Sequence, residues 1–149
     1  MSPGELARAF YDEVWNRNDA ARARDLLDPA FRFRGSLGQE RIGPDGFIAY
    51  MREVHAALAD YRCTVEDLIE GHGRAAARVR FEGVHRGGLL GFAPTGRRVA
   101  WTGAAFFTVT AGCLTDVWVL GDLDSLRRQL SEPSPEGDGH LDQSFARST

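Results

Sequence analysis

The feature that most limits the possible folds is a series of strand-like segments, without intervening helices, in the second half of the chain. Residues 75–85 alternate strictly, so that Val79, Phe81 and His85 share one face and charged residues take the other. Three further segments have strand-like character: residues 61–69, 97–110 and 113–120. They are joined by short turns or by one loop, which predicts a mainly antiparallel sheet.

Helical segments precede these strands. Ser2, Pro3 and Glu5 predict a capping box with proline at the first helical position, and apolar residues follow at helical spacing. We expect a second, short helix over residues 20–27, and a third that begins at Pro44 and has one apolar face. Helices followed by a series of strands are typical of an α+β fold. We therefore expect a curved sheet with helices against its concave side and a pocket between them.

The remaining segments are short. Residues 31–34 alternate apolar and charged side chains as a half-buried strand does, and the glycines within residues 35–43 predict a turn region. Residues 123–130 predict a last helix, for which Asp124 is a suitable N-cap. Residues 131–149 are rich in proline, glycine and charge and contain few apolar residues, which predicts a flexible tail.

Length, charge and cysteine content exclude several classes of protein. The chain has 149 residues, which suits one domain over residues 1–130 with its own core. The net charge of −3 argues against a nucleic-acid-binding protein, because such proteins carry basic surfaces. No segment has the length and hydropathy of a membrane span, and the N-terminus lacks the pattern of a signal peptide, so we expect a cytoplasmic protein. Cys63 and Cys113 are expected to be buried reduced thiols.

Polar residues at inward-facing positions are the candidates for chemistry. His85 ends an alternating strand on its apolar face, where it is either a core histidine hydrogen-bonded to a backbone carbonyl or part of a site. Asp122 follows Trp118 and Leu120 at even steps and is expected to share their face. Burial among such side chains raises the pKa of a carboxyl group, which suits a general acid or base. Asp122 is therefore the stronger candidate.

Aromatic side chains are expected to surround these two groups. Five of them are candidate walls of a substrate pocket: Tyr11, Trp15, Trp101, Phe107 and Trp118. His55, on the apolar face of the third helix, is another polar candidate, with the role of a satisfied core histidine as its alternative. No cluster of histidine and carboxylate residues has metal-ligand spacing, so we expect no metal.

Three motifs in the second half of the chain occur together. They are Gly83-x-His85-x-Gly87, then Gly91-x-x-Pro94-Thr95-Gly96-Arg97, then Trp118-x-x-x-Asp122-x-x-x-Leu126-x-x-Gln129-Leu130. The set resembles the C-terminal signature of the SnoaL-like polyketide cyclases, also described as ester cyclases, in the nuclear-transport-factor-2-like superfamily. Phe10-Tyr11-x-x-Val14-Trp15-Asn16 is similar to the first helix of that family. The resemblance covers residues 5–130.

The resemblance implies a cone-shaped α+β barrel, in which the sheet wraps around the N-terminal helices, and a homodimer or a tetramer. It also implies ring closure of a polyketide by an aldol-type reaction without a cofactor, with Asp122 as general base or acid and His85 in a supporting role. We therefore expect a cofactor-independent cyclase that acts on a hydrophobic, carbonyl-bearing intermediate.

Other functions remain open on the same residues. An epoxide-opening cyclase or hydrolase on this fold requires a second carboxylate, for which Asp116 is the candidate, and an arginine beside Asp122. A module that binds a small ligand without catalysis, or an accessory domain without a ligand, requires neither. A pocket of several hundred Å3 that reaches Asp122 favours an enzyme.

Overall fold

In the computed structural model, which describes residues 1–133, a helical N-terminal region precedes a single six-stranded sheet. The helices are α1 (Pro3–Ala9), which continues as a π-helical segment (Phe10–Trp15), α2 (Ala20–Leu26), α3 (Gly43–Ala57) and α4 (Leu123–Ser131). The strands are β1 (Leu27–Arg34), β2 (Glu40–Ile42), β3 (Leu58–Gly71), β4 (Arg74–His85), β5 (Arg98–Thr110) and β6 (Cys113–Gly121). The expected α+β class is confirmed.

The N-terminal helix begins with the predicted capping box. The Ser2 hydroxyl accepts a hydrogen bond from the backbone N–H of Glu5 at 3.1 Å, and the Glu5 carboxylate accepts one from the N–H of Ser2 at 2.7 Å. The π-helical segment that follows buries four large side chains: Phe10, Tyr11, Val14 and Trp15. These lie in two adjacent pairs, and the wider π-helical turn directs both pairs into the core.

The strands lie in the order β2–β1–β6–β5–β4–β3. Every neighbouring pair is antiparallel except β1 and β6, which are parallel, so the prediction of a mainly antiparallel sheet is confirmed. The sequence pattern does not predict strand β2, because its three residues lie inside the glycine-rich region that is typical of a turn. It pairs Arg41 with Phe33 of β1 at the edge of the sheet.

The concave side of the sheet is filled by aromatic rings. Phe10 lies at the centre, with ring centroids of Tyr11 and Phe47 each 5.2 Å away and that of Phe107 at 5.9 Å. The pocket expected between helices and sheet is therefore reduced to an enclosed cavity of about 10 Å3, room for about one water molecule. Large rings from both the helices and the sheet point into the same space, which the pattern of each separate element does not show.

Two smaller expectations need correction. Cys63 is buried, as predicted, but Cys113 is only half-buried because it begins β6 directly after a turn; neither forms a disulfide. Helix α4 extends to Ser131, and the rest of the predicted tail lies almost wholly outside the described residues. None of the helices in residues 1–133 has the length and apolar character needed to cross a membrane.

Candidate functional site

Asp122 is an exposed helix cap. Strand β6 buries Val117, and the alternate positions Trp118 and Leu120 are 41% and 54% exposed. Asp122 continues this outer face, and its carboxylate accepts a hydrogen bond from the backbone N–H of Ser125 at 3.0 Å as the N-cap of α4. The prediction that Asp122 shares a face with Trp118 and Leu120 is correct, but the prediction that this face is the inner one is wrong. Both faces of β6 are apolar, so alternation did not distinguish inside from outside.

The neighbouring acidic residues also differ from the expectations. Asp124, predicted as the N-cap, instead lies exposed in the first turn of α4 and pairs with Arg128 at 3.2 Å. Asp116 forms an ion pair with Arg32 at 3.0 Å. Six residues of extended chain, about 20 Å, separate Asp116 from Asp122. Asp116 therefore does not supply the second carboxylate that an epoxide-opening site requires beside Asp122.

His85 is fully buried at the end of β4, as the alternation predicted. Its Nδ1 accepts a hydrogen bond from the backbone N–H of Thr95 at 3.2 Å and lies 3.0 Å from the Thr95 hydroxyl, while Nε2 makes no hydrogen bond among the described residues. Burial lowers the pKa of the imidazole, and the backbone carbonyls of Gly87 and Phe92 oppose this shift. Of the two roles considered for His85, the geometry matches the buried structural histidine, although its backbone partner is the N–H of Thr95 and not a carbonyl.

The glycines on either side of His85 allow close packing at the corner between α3 and β3. A Cβ added to Gly83 would lie 3.0 Å from the Leu58 Cβ, and one added to Gly87 would lie 3.0 Å from the Ala57 Cα. The backbone N–H of Gly87 also donates to the carbonyl of Ala57 at 3.0 Å. The Gly-x-His-x-Gly motif therefore fixes a structural corner of the fold.

His55 is satisfied by the backbone. Its Nε2 lies 2.8 Å from the carbonyl oxygen of Trp15, and its ring stacks on the Trp15 ring with centroids 6.2 Å apart. Partial burial lowers the pKa of His55, and the hydrogen bond to Trp15 opposes this shift. The alternative role, a satisfied core histidine, describes this residue.

The other predicted pocket residues are mostly interior, apart from Trp118. Four of them are at most 4% exposed: Tyr11, Trp15, Trp101 and Phe107. Tyr11 and Trp15 line the enclosed cavity together with Ser36, Tyr50 and further core residues. The Tyr11 hydroxyl and the Trp101 Nε1 are buried without a hydrogen-bond partner among the described residues. Buried donors of this kind are rare in proteins because each one costs desolvation free energy.

A larger opening, which the sequence pattern does not predict, lies beside α3. This α3 groove has a volume of about 330 Å3. Its lining consists of Leu37, Gln39, Tyr50, Glu53, Val54, Ala57 and residues 88–91. Tyr50 and Glu53 stand one turn apart on α3, and this spacing is the one signal in the sequence that could have indicated the groove.

Tyr50 belongs to both openings, since it lines the α3 groove and the enclosed cavity. Burial raises the pKa of its hydroxyl, a shift that the Leu37 backbone and Arg41 oppose, so Tyr50 remains a neutral phenol. The Arg41 guanidinium lies 5.3 Å from the centre of the Tyr50 ring and pairs with Glu53 at 3.1 Å. The groove therefore combines apolar walls with one phenol, one carboxylate and the amide of Gln39.

A curved six-stranded sheet with helices on its concave side defines the nuclear-transport-factor-2-like class of proteins. Within that class, residues 5–130 match the family model of the SnoaL-like polyketide cyclases. The chain belongs to this family.

Solved structures of the same fold cover nearly all of the described domain. A SnoaL-like protein from Jannaschia sp. CCS1 is 23% identical with a TM-score of 0.78, and covers 89% of this chain and 97% of its own. TsrD from Streptomyces laurentii is 28% identical, with a TM-score of 0.76 and coverage of 85% and 92%. A SnoaL-like polyketide cyclase from Agrobacterium tumefaciens is 22% identical, with a TM-score of 0.75 and coverage of 88% and 99%. No curated protein matches the chain in sequence.

Proposed function

We propose that this chain is a cofactor-independent cyclase that acts by acid/base catalysis on a hydrophobic, carbonyl-bearing, polyketide-like intermediate. Family membership supports a cyclase-type function. The observation that carries the rest is the α3 groove, whose volume of about 330 Å3, apolar walls and few polar side chains suit a small hydrophobic molecule.

Glu53 is the general base in this proposal. It is the one carboxylate that lines the α3 groove within residues 1–133; its side chain is 61% exposed and pairs with Arg41 at 3.1 Å. An aldol-type ring closure begins when a base removes a proton from the carbon next to a carbonyl group, which leaves an enolate that attacks a second carbonyl of the same molecule. Neither Asp122 nor His85 lines the groove, and the proposal gives both of them structural roles.

Tyr11 is the hydrogen-bond donor in this proposal. Its hydroxyl has no partner among the described residues, and Tyr11 lines the enclosed cavity, which shares Tyr50 as a lining residue with the groove. Burial raises the pKa of Tyr11 well above its ordinary value, so the group stays protonated and able to donate. A single substrate oxygen, taking the place of the one water molecule for which this cavity has room, would pair with the donor and gain stabilisation as negative charge develops on it.

Exchange of carbon-bound protons tests the base without knowledge of the natural substrate. With 2-acetylnaphthalene in D2O, the protein should accelerate deuterium incorporation at the methyl group, measured by NMR. Glu53→Gln should lower that rate by about a hundredfold, because it removes the proton acceptor. Glu40→Gln, an exposed carboxylate outside the groove, serves as the matched control and should leave the rate unchanged. Equal rates for wild type and Glu53→Gln would contradict the assignment.

We also propose that two copies of the chain pair through the outer face of the sheet. Phe106, Trp118 and Leu120 are 44%, 41% and 54% exposed there, and the Phe106 and Trp118 rings lie 6.0 Å apart. Charged side chains of both signs, among them the ion pair of Arg32 with Asp116, lie at the edge of this apolar patch. A patch with apolar centre and mixed charges can pair with a copy of itself about a two-fold axis.

A further inference from the structure

One wall of the α3 groove comes from the loop between β4 and β5, residues 86–97, here called the β4–β5 loop. It contributes Gly88, Leu89, Leu90 and Gly91. The tip of the loop is a tight turn in which Leu89 and Phe92 exchange backbone hydrogen bonds of 3.1 and 2.8 Å. The turn is a small unit with its own hydrogen bonds, held in place by the packing of Leu89 in the core and by the two ends of the loop.

The base of the loop is closed by His85 and Thr95. The backbone of His85 exchanges hydrogen bonds with Arg97 and Gly96, at 2.9 and 2.8 Å. The imidazole Nδ1 accepts from the Thr95 N–H, and the Thr95 hydroxyl in turn accepts from the N–H of Arg97 at 3.2 Å. Among the described residues, His85 and Ser36 are the only buried polar side chains apart from those of tyrosine, tryptophan and cysteine.

We propose that His85 is a positioning residue for the ligand site: its bond to Thr95 holds the β4–β5 loop, and with it Leu89 and Leu90, in place as the wall of the α3 groove. This inference rests on the proposed function, because it takes the groove as the site of a small hydrophobic ligand. The imidazole acts at the base of the loop and does not touch the ligand.

The hydrogen bond between His85 and Thr95, here called the latch, forms only when the imidazole ring is neutral. Nδ1 accepts the Thr95 N–H through its lone pair, and protonation places a hydrogen there and abolishes the bond. Because burial lowers the pKa of His85 in the closed loop, the open loop binds the proton more readily. The closed loop is therefore favoured at neutral pH and loses this advantage as the pH falls below about 6.5, the ordinary pKa of an imidazole.

Other charged groups near the base do not bond to the imidazole. Those on the elements around His85 are His55 of α3, Asp60 of β3, Arg86 and Arg97 of the loop, Arg98 of β5, and Glu132 after α4. His55 is bonded to Trp15, and Arg97 pairs with Glu132 at 3.1 Å. Asp60, Arg86 and Arg98 are exposed. The pH response is therefore assigned to His85 itself.

Hydrogen exchange and probe binding test the latch directly. The probe is the neutral dye N-phenyl-1-naphthylamine, followed by fluorescence, and amide exchange in residues 86–97 is followed by mass spectrometry. His85→Leu should raise exchange in the loop and weaken binding of the dye by about tenfold at pH 7.5, because one hydrogen bond is lost. In the wild type, the same two changes should appear between pH 7.5 and pH 5.

Two variants distinguish the hydrogen bond of His85 from the shape of its ring and locate the dye. His85→Asn places an amide oxygen near the position of Nδ1 and should keep the loop closed at both pH values, which a purely steric role of the ring would not produce. Leu90→Asn removes an apolar side chain from the groove wall and should weaken binding of the dye at every pH. Asparagine tolerates the φ of +49° at this position.

The outcomes separate the latch from the proposed function. Unchanged loop exchange in His85→Leu, with intact thermal unfolding, would overturn the latch. The same holds if His85→Asn loses dye affinity at low pH as the wild type does. If Leu90→Asn leaves dye binding unchanged, the dye does not occupy the groove and the proposed ligand site fails, while exchange in the loop still decides the role of His85.

Discussion

Two carboxylates, Asp122 and Glu53, decide the chemistry at the scale of single residues. Asp122 is exposed and caps α4 through the N–H of Ser125, whereas Glu53 lines the α3 groove beside Tyr50. A helix cap contributes about 1 kcal/mol and works equally well with asparagine, because the side-chain oxygen makes the bond. A general base, in contrast, loses its function when its carboxylate becomes an amide. Substitution therefore separates the two roles.

Asp122→Asn should leave both stability and the rate of deuterium exchange unchanged, whereas Asp122→Ala should lower the free energy of unfolding by about 1 kcal/mol. Urea denaturation measures the first quantity, and NMR with 2-acetylnaphthalene measures the second. A drop of about a hundredfold in rate for Asp122→Asn, at unchanged stability, would instead identify Asp122 as the catalytic group that the motif suggests.

At the scale of elements, the end of β6 lies directly against the turn between β1 and β2. A Cβ added to Gly121 would lie 2.5 Å from the carbonyl oxygen of Ser36, so only a glycine fits without a shift of the backbone. The same turn carries Leu37 and Gln39 to the edge of the α3 groove. The contact between Gly121 and Ser36 therefore positions part of the candidate site.

Gly121→Ala should lower the free energy of unfolding by about 1–3 kcal/mol, because the added methyl group meets backbone atoms of Ser36. Gly71→Ala is the matched control, since no atom lies within 4 Å of the added Cβ and the position is also in the sheet. Its effect should stay below about 0.5 kcal/mol. Similar urea midpoints for the two variants would show that the β6 contact is not tight.

At the scale of the whole molecule, the outer face of the sheet carries an apolar patch on β5 and β6, and the helices of the described chain cover only the inner face. Phe106, Trp118 and Leu120 remain exposed on the other. Exposed apolar side chains in contact with one another favour association, whereas isolated ones are common on protein surfaces. The proposed homodimer would bury this patch.

Leu120→Arg should therefore convert the protein from a dimer to a monomer, because it places a charge at the centre of the proposed interface. Sedimentation velocity at micromolar concentration measures the change. Ala56→Arg, at an exposed position of α3, is the control and should leave the dimer intact. A wild-type protein that sediments as a monomer would contradict the proposal.

Local signals in the sequence were enough for most of the fold. The capping box at Ser2 and Glu5 and the alternation of β4 each depend on neighbouring residues, so a single chain shows them. The three-residue strand β2 has no such pattern, because it is held by its pairing with β1. The candidate site was harder to predict from the sequence, because Glu53 and Leu90 are 37 positions apart and meet only across the α3 groove.

The sequence by itself determined the α+β class, the family, the shared face of Trp118, Leu120 and Asp122, and the burial of His85. Only the tertiary structure decided which face of β6 meets the helices. The same choice of face leaves Asp122 in solvent, where it caps α4. Periodicity orders side chains relative to one another along an element. Which of two apolar faces is buried depends on the layer that packs against it, and that layer comes from distant parts of the chain.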